Sequence, residues 1–316
     1  MKTWVAIGSI AIALVLGTSL EAQRRFPGAA EATSGRAITP AFEGWYENPD
    51  GTYTLSFGYF NRDSEEVFEI PIGPDNFIEP ARFDGRQPTI LSTRRHTGVF
   101  TVTIQRDFAS EGGRVVWTLR NQGETYSVPG RIGAAAYQLH YLPMAMGSLP
   151  PLLKLTPDGL ELWGNMTHVG DPRVPSTWEA EDPIGSLSNP LPVVASVGTP
   201  LTLTAWAADR LAPGAERDPV DTSLTWFIHQ GPGLNMVDFL GDEPDPNDGG
   251  FGRPPPGPNA VQIPRDSDGS GTVTAVFSVP GEYLLRVRAD NFNPVDSSSG
   301  DQCCWTHGYV QVTVSP

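Results

Sequence analysis

TYTLSFGYF, residues 52–60, decides the fold. Tyr53, Leu55, Phe57 and Tyr59 recur at every second position, with Thr52, Thr54, Ser56 and Gly58 between them. A period of two puts the large side chains on one face of an extended strand. Aromatic and β-branched residues favour that conformation. The pattern repeats outward along the chain. Phe68, Ile70 and Ile72 share a face, as do Phe100, Val102 and Ile104, and then Val115, Trp117 and Leu119. Tyr137, Leu139 and Tyr141 read as the last strand of the series. Asn48 to Gly51 and Glu111 to Gly113 carry turn chemistry between such runs. Short alternating strands at this spacing predict a β-sandwich.

The same grammar returns after residue 190. Leu201, Leu203, Ala205 and Ala207 alternate with polar or bulkier residues, and Leu224, Trp226 and Ile228 alternate in SLTWFIH. Residues 272–279, 281–289 and 308–314 read as three further strands. Between the two series, Pro150 and Pro151 and the prolines from 172 to 192 interrupt helix and central strand alike. Residues 152–155 fit a first strand of the second domain. No amphipathic helix of useful length is read anywhere in the mature chain.

The second half resembles immunoglobulin-like modules of the PKD and bacterial Ig-like kind. The residues that carry the resemblance are VGTPLTLT at 197–204, Leu224, Thr225 and Trp226, PGEY at 280–283, and VQVTV at 310–314. The resemblance implies an Ig-like β-sandwich. The Asp- and Gly-rich signature of PKD repeats is missing, and Ala205 and Val287 stand where antibody domains carry their inter-sheet disulfide. The first half resembles exported bacterial proteins of unassigned role in IPIGPDN (70–76), QPT (87–89) and VVWTL (115–119), and this brings no activity with it. The expected architecture is all-β, with two β-sandwich (Ig-like) domains after a signal peptide. Its parts are a signal peptide (1–22), a flexible lead-in (23–40), an N-terminal sandwich (41–143), a Pro-rich linker or insertion (144–190) and a C-terminal Ig-like, PKD-like sandwich (191–316).

The leader reading rests on Lys2, the apolar run WVAIGSIAIALVL at 4–16, and the small residues Gly17, Thr18, Ser19 and Ala22. That run is short for a membrane span and fits a secretory signal. The mature chain is expected to be secreted, at the cell surface or periplasmic, with no membrane span. The net charge of −15 disfavours nucleic acid and anionic membranes as electrostatic partners. Gly 34 and Pro 31 of 316 residues fall below low-complexity levels and read as turns between strands.

The only two cysteines, Cys303 and Cys304, are adjacent. A bridge between neighbours, whose Cα atoms lie ~3.8 Å apart, would strain the backbone, because disulfides prefer about 5.5–6 Å. Such a ring beside Trp305 would form a small hydrophobic platform for a ligand. The alternative is a reduced, structural pair. In an Ig-like sandwich the loops after the second and sixth strands meet at one end. That end gathers Asp209, Glu216, Asp218, Asp221, Asp290, Asp296 and Asp301, and Asp209 and Asp290 are read as possible calcium ligands. The alternative is a solvated acidic rim. The sequence DSDGSG at 266–271 reads as a β-turn rather than a calcium loop. His96, His140, His168, His229 and His307 are scattered, with no metal-ligand spacing. Trp45, Tyr46, Trp163 and Trp178 are candidate sugar-stacking aromatics, and Arg94, Arg95 and His96 a candidate contact for an anionic polymer. No nucleophile elbow, P-loop or dinucleotide fingerprint occurs.

These features predict an exported, non-enzymatic binding, adhesion or surface-structural protein acting through sandwich-end loops. Its partners would be polysaccharide or another exported protein. A secreted polysaccharide-active enzyme or accessory protein is the second reading. A filament or sheath subunit that self-assembles through residues 23–40 is the third.

Overall fold

The computed structural model describes residues 37–63, 65–139, 147–164, 183–241, 257–291 and 305–316. The leader, Cys303, Cys304, Trp178, His140 and His168 lie outside the described residues.

The first sandwich is built from β1 (Ile38–Glu47), β2 (Tyr53–Asn61), β3 (Phe68–Glu69), β4 (Asn76–Glu79), β5 (Ile90–Leu91), β6 (Arg94–Ile104), β7 (Val115–Asn121) and β8 (Glu124–Gly130). One sheet runs β1-β2-β6, the facing sheet runs β4-β7-β8, and β3 pairs with β5. The β1–β2 hairpin turns where Asp50 Oδ1 accepts from the Thr52 N–H (2.9 Å) and Gly51 adopts φ +83°. That left-handed angle favours glycine. Leu55 and Phe57 enter the core as their period predicts, and Phe57 stacks on Phe100 at 5.2 Å. Phe100 meets Trp117 edge to face at 5.0 Å. The Trp117 Nε1–H donates to Asn76 Oδ1 (3.0 Å), so the buried indole is satisfied.

Two expectations are corrected in this half. Residues 38–40, assigned to a flexible lead-in, form the start of β1 and pair with Asn61, Phe60 and Tyr59. Of the run at 137–141, Tyr141 lies outside the described residues, and residues 137–139 belong to no strand. Ala135–Tyr137 is a single 3-10 turn, and Tyr137 is exposed.

The second sandwich begins inside the stretch read as linker or insertion. β9 (Ser148–Lys154) precedes β10 (Leu191–Ser196), β11 (Leu201–Leu211), β12 (Thr222–Gln230), β13 (Val237–Leu240), β14 (Ala260–Ile263), β15 (Ser270–Phe277), β16 (Gly281–Asp290) and β17 (Trp305–Ser315). One sheet runs β10-β17-β16-β12-β14 and the other β13-β15-β11-β9. β9 lies at an edge, where proline is tolerated. Pro150 and Pro151 fall opposite Asp209, at the register shift between Ala208 and Arg210. Two residues against one is the count of a β-bulge.

Three features of this half belong to an Ig-like Greek key. β10 pairs parallel with the last strand, β17. Trp226 is buried on β12, between the sheets. The Tyr283 Oη–H donates to the Val279 carbonyl (2.8 Å), four residues upstream, as a tyrosine corner does. Ala205 and Val287 are fully buried in this core, so apolar packing fills the place of a disulfide. The protein is all-β with two sandwiches, and the described residues all fall in one compact unit, Ser34–Pro316. Among the described residues no helix is long and apolar enough to cross a membrane.

Candidate functional site

β16 reads GEYLLRVRAD, and its two faces have opposite chemistry. Tyr283, Leu285, Val287 and Ala289 enter the second core. Strand alternation therefore puts Arg286, Arg288 and Asp290 on the other side of the sheet. The register sets Arg286 beside Tyr309 of β17 and Phe227 of β12, Arg288 beside His307 and Thr225, and Asp290 beside Trp305 and Ser223. In a lone sandwich that face meets water. Here Arg286, Arg288, His229, Trp305, His307 and Tyr309 are all buried.

The first sandwich and the stretch preceding β10 cover it. The Tyr309 Oη–H donates to the Val99 carbonyl (2.8 Å), and the Thr89 N–H donates to the His229 carbonyl (2.8 Å). Gln230 Nε2 donates to the carbonyls of Gly85 (2.9 Å) and Gln87 (2.8 Å). His96 stacks on Tyr59 at 4.9 Å and meets Phe227 edge to face at 5.5 Å. Along β17, the N–H groups of His307 and Tyr309 donate to Gly164 and Gly185 (2.7 Å each). The result is a polar, aromatic seam between the two sandwiches.

Burial decides protonation in the seam. His229 is pushed down to about 3, first by burial and then by the Arg286 charge. His96 and His307 are held well below the usual histidine range by burial, Arg286 and Arg288. His229 Nε2 lies 2.8 Å from the Arg86 carbonyl and His96 Nε2 lies 3.0 Å from that of Thr93. A carbonyl only accepts, so each Nε2 carries the hydrogen and each Nδ1 a lone pair. Burial raises Tyr59 to about 12 and Tyr309 higher still, so both remain phenols at neutral pH. Arginine stays charged under all such conditions. Neutral imidazoles with carbonyl-fixed tautomers suit metal ligation, but the two arginines among them repel a cation. Among the described residues no group of three or more His, Cys, Asp or Glu is placed to hold a metal ion.

The residues singled out in the sequence fall as follows. Trp305 starts β17 and is 1% exposed, its indole in the seam rather than on a surface. Asp209 sits at the sandwich end at the close of β11; the residue is half-buried, with its side chain covered. Arg217 grips it through Nη1–Oδ2 (2.6 Å) and Nη2–Oδ1 (3.1 Å), while the Val220 N–H (3.0 Å) and Asn291 Nδ2 (2.6 Å) complete its acceptors. Burial pushes this carboxyl up, but the bonds from Arg217, Val220 and Asn291 and the Arg217 charge outweigh it and hold it below the usual range. Asp290 turns to Arg288 Nε (2.8 Å). A calcium ion at this end would have to displace an arginine from each carboxylate. The DSDGSG segment is a turn, with Asp268 Oδ1 accepting from the Ser270 N–H (3.0 Å) and Oγ–H (2.7 Å).

Trp45, Tyr46 and Trp163 are buried, which corrects their reading as sugar-stacking surfaces. Arg95 is committed to Glu43, with Nη2 at 2.7 and 2.8 Å from the two carboxylate oxygens. Burial nevertheless raises Glu43 to about 7, against the lowering by Arg95. The seam itself was not read from the sequence. Its signal was the arginine pair alternating with core residues in LRVRAD, on a face normally assigned to solvent.

No protein-family model matches the chain, and no curated protein matches it. Among solved structures it is similar to the Yersinia pseudotuberculosis adhesin InvE, with 11% identity and a TM-score of 0.24 over 89% of this chain and 59% of that one. It is also similar to the D0-D1 domain of intimin, with 11% identity and a TM-score of 0.23 over 88% of this chain and 97% of that one. The chain thus spans 59% of the InvE chain's length. Likenesses at these TM-scores carry no inference about activity.

Proposed function

We propose that this protein is an exported, non-enzymatic binding or adhesion module, in which two sandwiches act as one body and present their end loops and edges to a partner. The observation that supports this reading is where the reactive side chains sit. His96, His229, His307, Arg286, Arg288, Tyr59 and Tyr309 are the groups chemistry would recruit, and all of them are buried where one sandwich meets the other. A substrate would reach them only if the sandwiches parted. The surface left for recognition is strand edges and loops, which is where binding folds of this class carry function. The partner is polysaccharide or another exported protein.

The test is a binding and turnover screen of the purified mature chain against polysaccharides and surface proteins. Saturable binding without cleavage is the expected result. Cleavage of a polysaccharide that is lost on changing one or two carboxylates would replace this reading with the enzymatic one.

A further inference from the structure

The outer face of β16 and β17 carries more positive charge than the seam answers. Arg286 and Arg288 alternate on the central strand, and Asp290, on the same face of β16, is bonded to Arg288. Arg286 is 3% exposed, and among the described residues it has no ion-pair partner and its Nε–H no acceptor. Its guanidinium lies 4.7 Å from the centroid of the Phe227 ring, and a ring face offsets only part of a charge. The groups packed near it from the other elements are Tyr59 (β2), His96 (β6), His229 (β12), and His307 and Tyr309 (β17), none of them an anion at neutral pH. Among the described residues His307, beside Arg288 in the register, has no hydrogen-bond partner at either ring nitrogen. A guanidinium cannot escape burial by losing its proton, and an unmatched buried charge is strongly unfavourable.

We infer that the seam holds one small inorganic anion, bound by Arg286 and His307 with the Arg288 charge beside them. The ion is small because Arg286, Arg288 and His307 are no more than 4% exposed. The ion answers the Arg286 charge, gives His307 an acceptor, and ties the docking of the sandwiches to the salt around them. This inference stands apart from the proposed binding role, because the ion is internal to the body that presents the loops.

The test exchanges the purified full chain into sodium gluconate, whose anion is far larger than chloride, sulfate or phosphate. The thermal midpoint is then followed as chloride, sulfate or phosphate replaces gluconate at constant ionic strength. The protein recovered in gluconate is also denatured and its released anions are measured by ion chromatography. The inference expects a saturable rise of about 3 °C or more with one of the three ions, or about one anion released per chain where exchange is slow. The identity of that ion tells chloride from an oxyanion. Arg286→Met keeps an apolar stem and removes the unmatched charge. It is expected to abolish the ion dependence and to be no less stable than the native chain in gluconate. Coincident midpoints in all four salts with no anion released would overturn the inference. So would an ion dependence or a bound anion that survives in Arg286→Met. Should that variant fail to fold, the salt titration and the anion count of the native chain decide together.

Discussion

Acid should open this protein, and the three buried histidines set how far. Each is neutral in the folded chain and titrates near its ordinary value, about 6.5, once unfolded. A depressed folded pKa contributes stability that is present above the unfolded value and is lost as pH falls below it. Between pH 7 and 5, His229 alone costs about 2 kcal/mol, because its folded pKa of about 3 leaves it neutral throughout. His96 and His307, held below the ordinary range by burial and the arginine charges, add a loss of the same sign. Glu43 works the other way. Its folded pKa of about 7 lies above its ordinary 4.5, so its contribution is full below 4.5 and is lost as pH rises through 7. Acidification over the same interval therefore returns about 2 kcal/mol. The His229 and Glu43 contributions nearly cancel, so the net loss on acidification comes from His96 and His307, in a fold held by about 5–15 kcal/mol. Urea unfolding at pH 7, 6 and 5 measures it. His229→Gln keeps a donor toward the Arg86 carbonyl and removes one titrating group, so its loss should shrink by about 2 kcal/mol, while Glu43→Gln should deepen the loss by about as much. Stability that is flat or rising from pH 7 to 5 would refute the buried, neutral assignment.

Other substitutions probe the frame around the seam. Arg217→Ala strands the buried Asp209 carboxylate and should destabilise by about 3–5 kcal/mol in urea unfolding. Millimolar Ca²⁺ should leave the melting temperature of the native chain unchanged, since Asp209 and Asp290 are already paired to arginines; a rise that disappears in Asp209→Ala would instead make them calcium ligands. Tyr283→Phe removes the hydroxyl that donates to Val279 and should cost about 1 kcal/mol without changing the fold by circular dichroism.

The strands were legible wherever one side of the chain met a core. β2, β6, β7, β11, β12, β15, β16 and β17 all lie under runs of alternating apolar residues, because half-burial imposes that period. β8 went unread because most of its side chains are exposed and it carries Pro129, so no apolar stripe marks it. β1 was clipped because its first residues close the small, polar run at 23–40, and the strand carries a bulge between Phe42 and Gly44. The turn at Ala135–Tyr137 imitates a strand only through its spacing. The seam was the least legible part. Arg286 and Arg288 satisfy the alternation as well as surface residues do, and what buries them comes from β2, β6 and the segment before β10. His96, His229 and His307 are more than a hundred positions apart or on separate strands, and only the docking of the sandwiches gathers them. Local pattern reports which face a residue takes, and what lies against that face is set by long-range packing.

The most direct measurement of the sealed seam is the histidine imidazole spectrum of the folded protein, followed by NMR from pH 8 down to just above the onset of unfolding. The account requires three rings that stay neutral throughout, with His96 and His229 as Nε2–H tautomers. Ordinary titration of all five histidines near pH 6.5 in the folded chain would contradict it.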